Sequence, residues 1–171
     1  MITTLKDKIK KMTDSRTSIQ RAIDWVKNNR VPNSGIRVHH KTKDVTPEVT
    51  GYLITSLYDV GEKELAYDLA KWEMTVQQPD GSFKAPDNIS YTFDTAQVVR
   101  GFLSVLDDMP EVKKSLTKAC DFIVSQIDEQ GEVQTPSYKA WRQPGGHYLS
   151  RYCNLFVLVP LLEAGKKIKF A

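Results

Sequence analysis

One layout recurs three times along this chain, and it limits the fold more than any other feature. A helix bearing Trp or Phe near its middle runs into a polar, Gly-bearing loop. A second helix then opens with Thr, Pro or an acid. The clearest copy is Gln77-Gln78-Pro79-Asp80-Gly81-Ser82-Phe83 followed by Tyr91-Thr92-Phe93-Asp94-Thr95-Ala96-Gln97. The aromatic anchors Trp25, Trp72 and Phe122 are spaced by 47 and 50 residues. Self-similarity at such a period is the signature of stacked helical hairpins, each unable to bury its apolar face alone. The expected units are about 13–61, 62–109 and 110–165 in a single domain of 171 residues.

Apolar spacing sorts the helices into two kinds. Leu65, Leu69, Trp72 and Val76 make one clean stripe on a helix over about 62–77, and Ile19, Ala22, Ile23 and Val26 do so over about 14–29. The helix from Pro110 carries Leu116, Ala119, Cys120, Ile123 and Ile127. Their partners, about 46–59, 92–106 and 148–164, are apolar on more than one side. Outer helices with one buried stripe and inner helices buried nearly all round predict two layers. Thr46-Pro47-Glu48 is a helix start: Thr to cap, Pro where a missing N–H costs nothing, Glu at the positive dipole end. Pro160 should kink the last helix, and a short basic helix around 4–12 leads in. The expected architecture is therefore all-α, six to seven helices in three hairpins. Aligning Leu57 with Leu103 sets Glu48 opposite Asp94 and Thr50 opposite Ala96; matching Gly61 with Gly165 brings Tyr152 to the same height. The long loops, about 30–45, 79–91 and 131–147, gather on one face, where sites usually sit.

Composition excludes several function classes. Hydrophobic content of 40% and charged content of 26% are those of a soluble globular protein. The net charge is only +3, and Lys6, Lys8, Lys10, Lys11, Lys166, Lys167 and Lys169 cluster at the two ends without interleaved aromatics, so no nucleic-acid footprint is expected. Cys120 and Cys153 sit in apolar helical segments, which argues for buried thiols and against a metal centre or other cofactor. Met1 to Lys11 alternates apolar residues with Lys, and the apolar run Leu155 to Leu162 is far too short to span a bilayer. A cytoplasmic location is the expectation.

At Trp72 to Phe83 the chain resembles the α/α-toroid superfamily that includes squalene–hopene cyclases and protein prenyltransferase β-subunits. The pattern is an aromatic residue, then Gln77 and Asp80-Gly81-Ser82-Phe83; Phe122 to Val133 is a weaker copy, and Trp25 to Val38 has Asn29 where Gln is expected. The resemblance implies a partial toroid of three hairpins. In the cyclases an Asp-x-Asp-Asp-Thr-Ala segment supplies the proton donor. Here Asp94 takes the place of the last Asp, while Tyr91 and Phe93 replace the earlier acids. No neighbouring carboxylate then holds a proton on Asp94, which argues against cyclase chemistry. A prenyltransferase-like zinc site is unsupported as well, with Asp94, Cys153 and His147 the only residues that come near one. The hairpin layout is also similar to toroids that act on polysaccharides, a likeness of fold alone.

The candidate acid–base residues are Asp94, Glu48 and His147. Asp94 and Glu48 stand in the first turns of inner helices, where plain dipole complementation is worth about 0.5–1 kcal/mol. His147 follows Gly145-Gly146, glycines that let backbone approach a ligand. The candidate ligand-binding residues are Tyr91, Trp141, Arg142, Tyr148, Arg151 and Tyr152; with Tyr138, the third-loop members combine aromatic rings and Arg donors suited to an acidic sugar or a phosphorylated ligand. His39-His40 reads as a solvated pair. Trp25, Trp72 and Phe122 read as core, and Gly81 as a turn. Three functions fit: a carbohydrate-binding or carbohydrate-processing protein, an isoprenoid-binding or isoprenoid-processing relative, and an interaction scaffold. Closed rings of this kind hold more than three hairpins, so apolar flanks such as Leu155 to Leu162 should need a second copy or a partner domain. A homodimer sharing one cavity is the expected assembly.

Overall fold

The computed structural model describes residues 17–134 and 146–171, with the side chains of the last helix described from Leu155 onward. Among these residues it is all-α, with isolated bridges in the loops and no strand. The helices are α1 (Ser18–Asn29), α2 (Pro47–Asp59), α3 (Lys63–Val76), α4 (Thr92–Val105), α5 (Lys113–Ser125) and α6 (Gly146–Lys167); a 3-10 turn at Pro110–Val112 leads into α5. The lead-in helix expected at 4–12 lies outside the described residues, and α6 runs unbroken through Pro160.

Two layers form as the apolar patterns require. Helix α4 packs on α2 and on α6, while α3 and α5 lie outside them. Consequently α4 is buried on nearly every side, including Val98, Val99, Phe102 and Val105. Helices α3 and α5 bury single stripes: Leu65, Ala66, Leu69 and Ala70 in one, Leu116, Ala119, Cys120 and Ile123 in the other. Close approach between α2 and α4 depends on two glycines. A Cβ on Gly51 would stand 2.7 Å from the backbone C and O of Gln97, and one on Gly101 would stand 2.9 Å from the carbonyl of Gly51. Gly51 meets Gln97, and Ser104 Oγ donates to Thr55 Oγ1 at 2.9 Å further on, so the inner helices run parallel with their N-termini together.

The repeat is visible in backbone hydrogen bonds. Val31 N–H donates to Gly35 O (3.1 Å), Gln78 N–H to Ser82 O (2.9 Å) and Asp128 N–H to Glu132 O (3.0 Å). Each turn is closed by a second bond: Ser34 to Val31, Gly81 to Gln78 and Gly131 to Asp128. Left-handed residues complete them, Asn33 at φ 54°, Gly81 at φ 92° and Gly131 at φ 80°. These turns keep the spacing of the aromatic anchors. Each of the first two loops is then pinned to its inner helix by a threonine: Ile36 N–H donates to Thr50 Oγ1 (3.1 Å), and Phe83 N–H to Thr95 Oγ1 (3.2 Å).

Those threonines correct the register. Thr50 pairs with Thr95, so Glu48, the second residue of α2, matches Phe93, and Asp94, the third residue of α4, matches Val49. Aligning Leu57 with Leu103 misses this, because Leu57 follows Thr50 by 7 residues and Leu103 follows Thr95 by 8. Two further expectations change. Thr46 occupies the N-cap of α2 without a side-chain capping bond; its carbonyl instead accepts from Thr50 Oγ1 at 2.9 Å. Trp25 is not core: it is 45% exposed, unlike its half-buried counterparts Trp72 and Phe122.

Candidate functional site

The parallel inner helices gather two acids at their N-terminal ends. Asp94 is buried, and its Oδ2 has no hydrogen-bond partner among the described residues. Burial first, then the negative charges of Glu48 and Asp87, push its carboxyl up to about 8. Glu48 is half-buried, and burial raises its carboxyl too. The sequence expectation that no carboxylate neighbours Asp94 is therefore corrected. The neighbours come from another helix and a loop, invisible in the local motif. Asp94 thus holds a proton at neutral pH and can donate it.

Other polar atoms buried without a bond among the described residues are Thr46 Oγ1 at the start of α2, Gln97 Oε1 on α4, Arg30 Nε, Arg37 Nε and both carboxyl oxygens of Glu73 on α3. Gln97 holds its amide in place by donating Nε2–H to the Phe93 carbonyl at 3.2 Å. Tyr52, Phe93 and Phe156 form an aromatic row across α2, α4 and α6, with centroids 6.3 and 6.4 Å apart.

Beyond this row a groove of about 590 Å³ runs along the inner helices. Thr55, Gln97, Arg100 and Ser104 line it from α2 and α4, facing Leu155, Phe156, Val159 and Glu163 from α6. Lys166 and Lys167 close its far end, where Lys167 Nζ also donates to Asp107 at 3.1 Å. The groove's charged lining is Arg100, Lys166 and Lys167 with the carboxylate of Glu163 among them; Glu48 and Asp94 do not line it. Sequence reading missed Thr55, Gln97, Arg100 and Ser104 because each is an ordinary helix residue. Their signal is that Thr55 and Arg100 share the spacing of Thr50 and Thr95.

The remaining sequence candidates divide. Tyr91 is buried, and its hydroxyl donates to Asp87 Oδ2 at 2.7 Å, which places it in the packing of the second loop. Trp141 and Arg142, with Tyr138, lie outside the described residues, as do the side chains of His147, Tyr148, Arg151, Tyr152 and Cys153 on α6. His39 and His40 are exposed neighbours with ring centroids 4.3 Å apart. Among the described residues no cluster of His, Cys, Asp and Glu could hold a metal ion, and no helix is long and apolar enough to cross a membrane.

Comparison with protein families finds no family model that matches this chain. Comparison with curated proteins finds no match either.

Proposed function

We propose that this chain binds an anionic carbohydrate along its inner face, with the acidic group of the sugar held by Arg100 and Lys166. One observation carries this reading: the groove is open and mixes hydroxyl, amide and cationic groups with an aromatic wall. A sugar offers apolar ring faces for Phe156 and hydroxyls for Thr55, Gln97 and Ser104, and Arg suits a carboxylate by its bidentate fork. Asp94 and Glu48 lie outside the groove lining, so an acid–base role for them would need the sugar to reach past Phe156 to the helix N-termini. The partial α/α toroid is the architecture that goes with this use. An isoprenoid ligand is the second reading, favoured by the apolar wall of Leu155, Phe156 and Val159; it would need that wall enclosed against water.

The test is titration calorimetry with uronic-acid oligosaccharides, with neutral oligosaccharides and with an isoprenoid diphosphate. Saturable binding of the acidic sugars, weakened at least tenfold by Arg100→Ala (about 1.4 kcal/mol), supports the proposal. Binding of the isoprenoid alone overturns it in favour of the second reading, and binding of nothing leaves the scaffold reading.

A further inference from the structure

The same interface occurs twice inside this chain, and its two halves are each left uncovered once more at the ends of the array. The turn of the first unit is covered by the next outer helix: a Cβ on Gly35 would stand 2.5 Å from Cζ3 of Trp72, and Arg30 pairs with Asp68 at 3.2 Å. The turn of the second unit is covered in the same way by α5. A Cβ on Gly81 would run into the Lys118 carbonyl, and Gln77 Nε2 donates to Ser115 O at 2.8 Å. Gly35, Ile36, Gly81, Ser82 and Phe83 are buried as a result.

The third turn has the same hydrogen bonds and no such cover among the described residues. Nothing lies within 4 Å of a Cβ on Gly131, and Gly131 and Glu132 are exposed. At the other end α1 is an outer helix with no turn beneath it among the described residues. Trp25, the counterpart of Trp72, is 45% exposed and Ile19 is 62% exposed. The inner layer is uncovered at the same end as the third turn: Leu155, Val159 and Leu162, spaced to share one face of α6, are 65%, 42% and 66% exposed. Uncapped ends of a repeat array require a surface against them, and a contiguous apolar stripe of this kind marks an interface.

We infer that the occupant is a second copy of this chain, docked head to tail. Its α1 sits on the Gly131–Val133 turn as α3 sits on the first turn, and its α2 packs on α6 as α4 packs on α2. The internal contacts specify this partner, because among the described residues α1 is the one outer helix without a turn and the third turn is the one without a helix. Two copies arranged so satisfy both edges at once and close, which a head-to-tail contact otherwise fails to do. This inference does not depend on which ligand the groove takes.

Sedimentation equilibrium on the full chain at micromolar concentration is expected to give twice the 19.4 kDa protomer mass. Trp25→Glu and Leu162→Glu change exposed side chains on opposite edges, so circular dichroism should show an unchanged helical protomer. Each variant alone breaks both contacts of the closed pair and is expected to be monomeric. Mixed together, they retain one intact contact, between the wild-type edges, and should form a heterodimer. A monomeric wild type overturns the inference. So does a dimer that survives Trp25→Glu, which would mean α6 pairing with itself. An open polymer, or a mixture of the two variants that stays monomeric, overturns it equally.

Discussion

Glu73 should be the most destabilising side chain in the core, and replacing it should strengthen the fold. It lies on the buried stripe of α3, is 0% exposed, and neither carboxyl oxygen has a hydrogen-bond partner among the described residues. The positions that match it in the other units, Val26 and Ile123, are buried and apolar. A buried polar group without a partner costs about 1–3 kcal/mol. Burial also holds the carboxyl well above its ordinary 4.5, which adds a pH-dependent cost. The unfolded chain releases this proton near 4.5 and the folded chain only at much higher pH. Stability contributed by the protonated group is therefore full below that value and is lost as pH rises, by about 1.4 kcal/mol per unit until the folded-state pKa is reached. Glu73→Met keeps the volume and removes both costs. Urea unfolding at pH 5 should show the variant more stable by about 1–3 kcal/mol, with melting raised about 2–4 °C for each kcal/mol. The gap should widen between pH 5 and pH 7. Asp94 slopes in the same direction but is common to both proteins and cancels. Glu73→Gln separates the two costs, since it removes the titration and keeps the unpaired polar group. A gap that is flat from pH 5 to pH 7, or a less stable Glu73→Met, refutes the reasoning.

Two further outcomes test the layers and their ties. Gly51→Ala forces a Cβ to 2.7 Å from the Gln97 backbone, where no flexible side chain can yield, so urea unfolding should show a loss of about 1–3 kcal/mol with the helices retained. Asp108 Oδ2 accepts from Tyr58 (2.9 Å), Lys63 (2.8 Å) and Tyr67 (2.6 Å), which ties α2 and α3 to the end of α4. The bond to Asp108 pushes the Tyr67 hydroxyl up to about 12, so in Asp108→Ala one tyrosine should ionise at lower pH in an ultraviolet titration. An unchanged tyrosine titration would mean the bond does not form in solution.

What the sequence reveals here is whatever depends on spacing along the chain. The aromatic anchors recur at the interval of the turns because each anchor and the following turn belong to one rigid helix-plus-loop unit. The inner and outer layers follow from which helices show one apolar stripe. The exposure of Trp25 does not follow, since an aromatic anchor is buried by the unit before it and the first described unit has none. Nor does the burial of Glu73, because an acid one residue from Trp72 reads as the polar side of a stripe. The register between Glu48 and Asp94 slips by one residue because Leu57 follows Thr50 by 7 residues whereas Leu103 follows Thr95 by 8. Leucines in the helix interiors match almost equally well either way, while the threonine hydroxyls that receive Ile36 and Phe83 fix the register.

The proton on Asp94 shows how far local sequence can mislead about chemistry. A neutral carboxylic acid at pH 7 needs desolvation or a like charge, and the motif around Asp94 supplies neither: its flanking residues are Phe93 and Thr95. Desolvation comes from the fold, which buries the first turn of α4 at Thr92, Asp94 and Thr95. The like charges also come from the fold, because parallel inner helices bring α2's Glu48 beside α4's first turn, and the second loop carries Asp87 back to the same end. Both causes oppose the helix dipole, which favours an ionised acid at that position. Burial and repulsion win, since the dipole supplies about 0.3–1 kcal/mol while each unit of upward shift reflects about 1.4 kcal/mol. An acid placed only to complement a dipole would sit exposed and ionised. Asp94 is instead buried beside a second carboxyl, and its own carboxyl is pushed up to about 8.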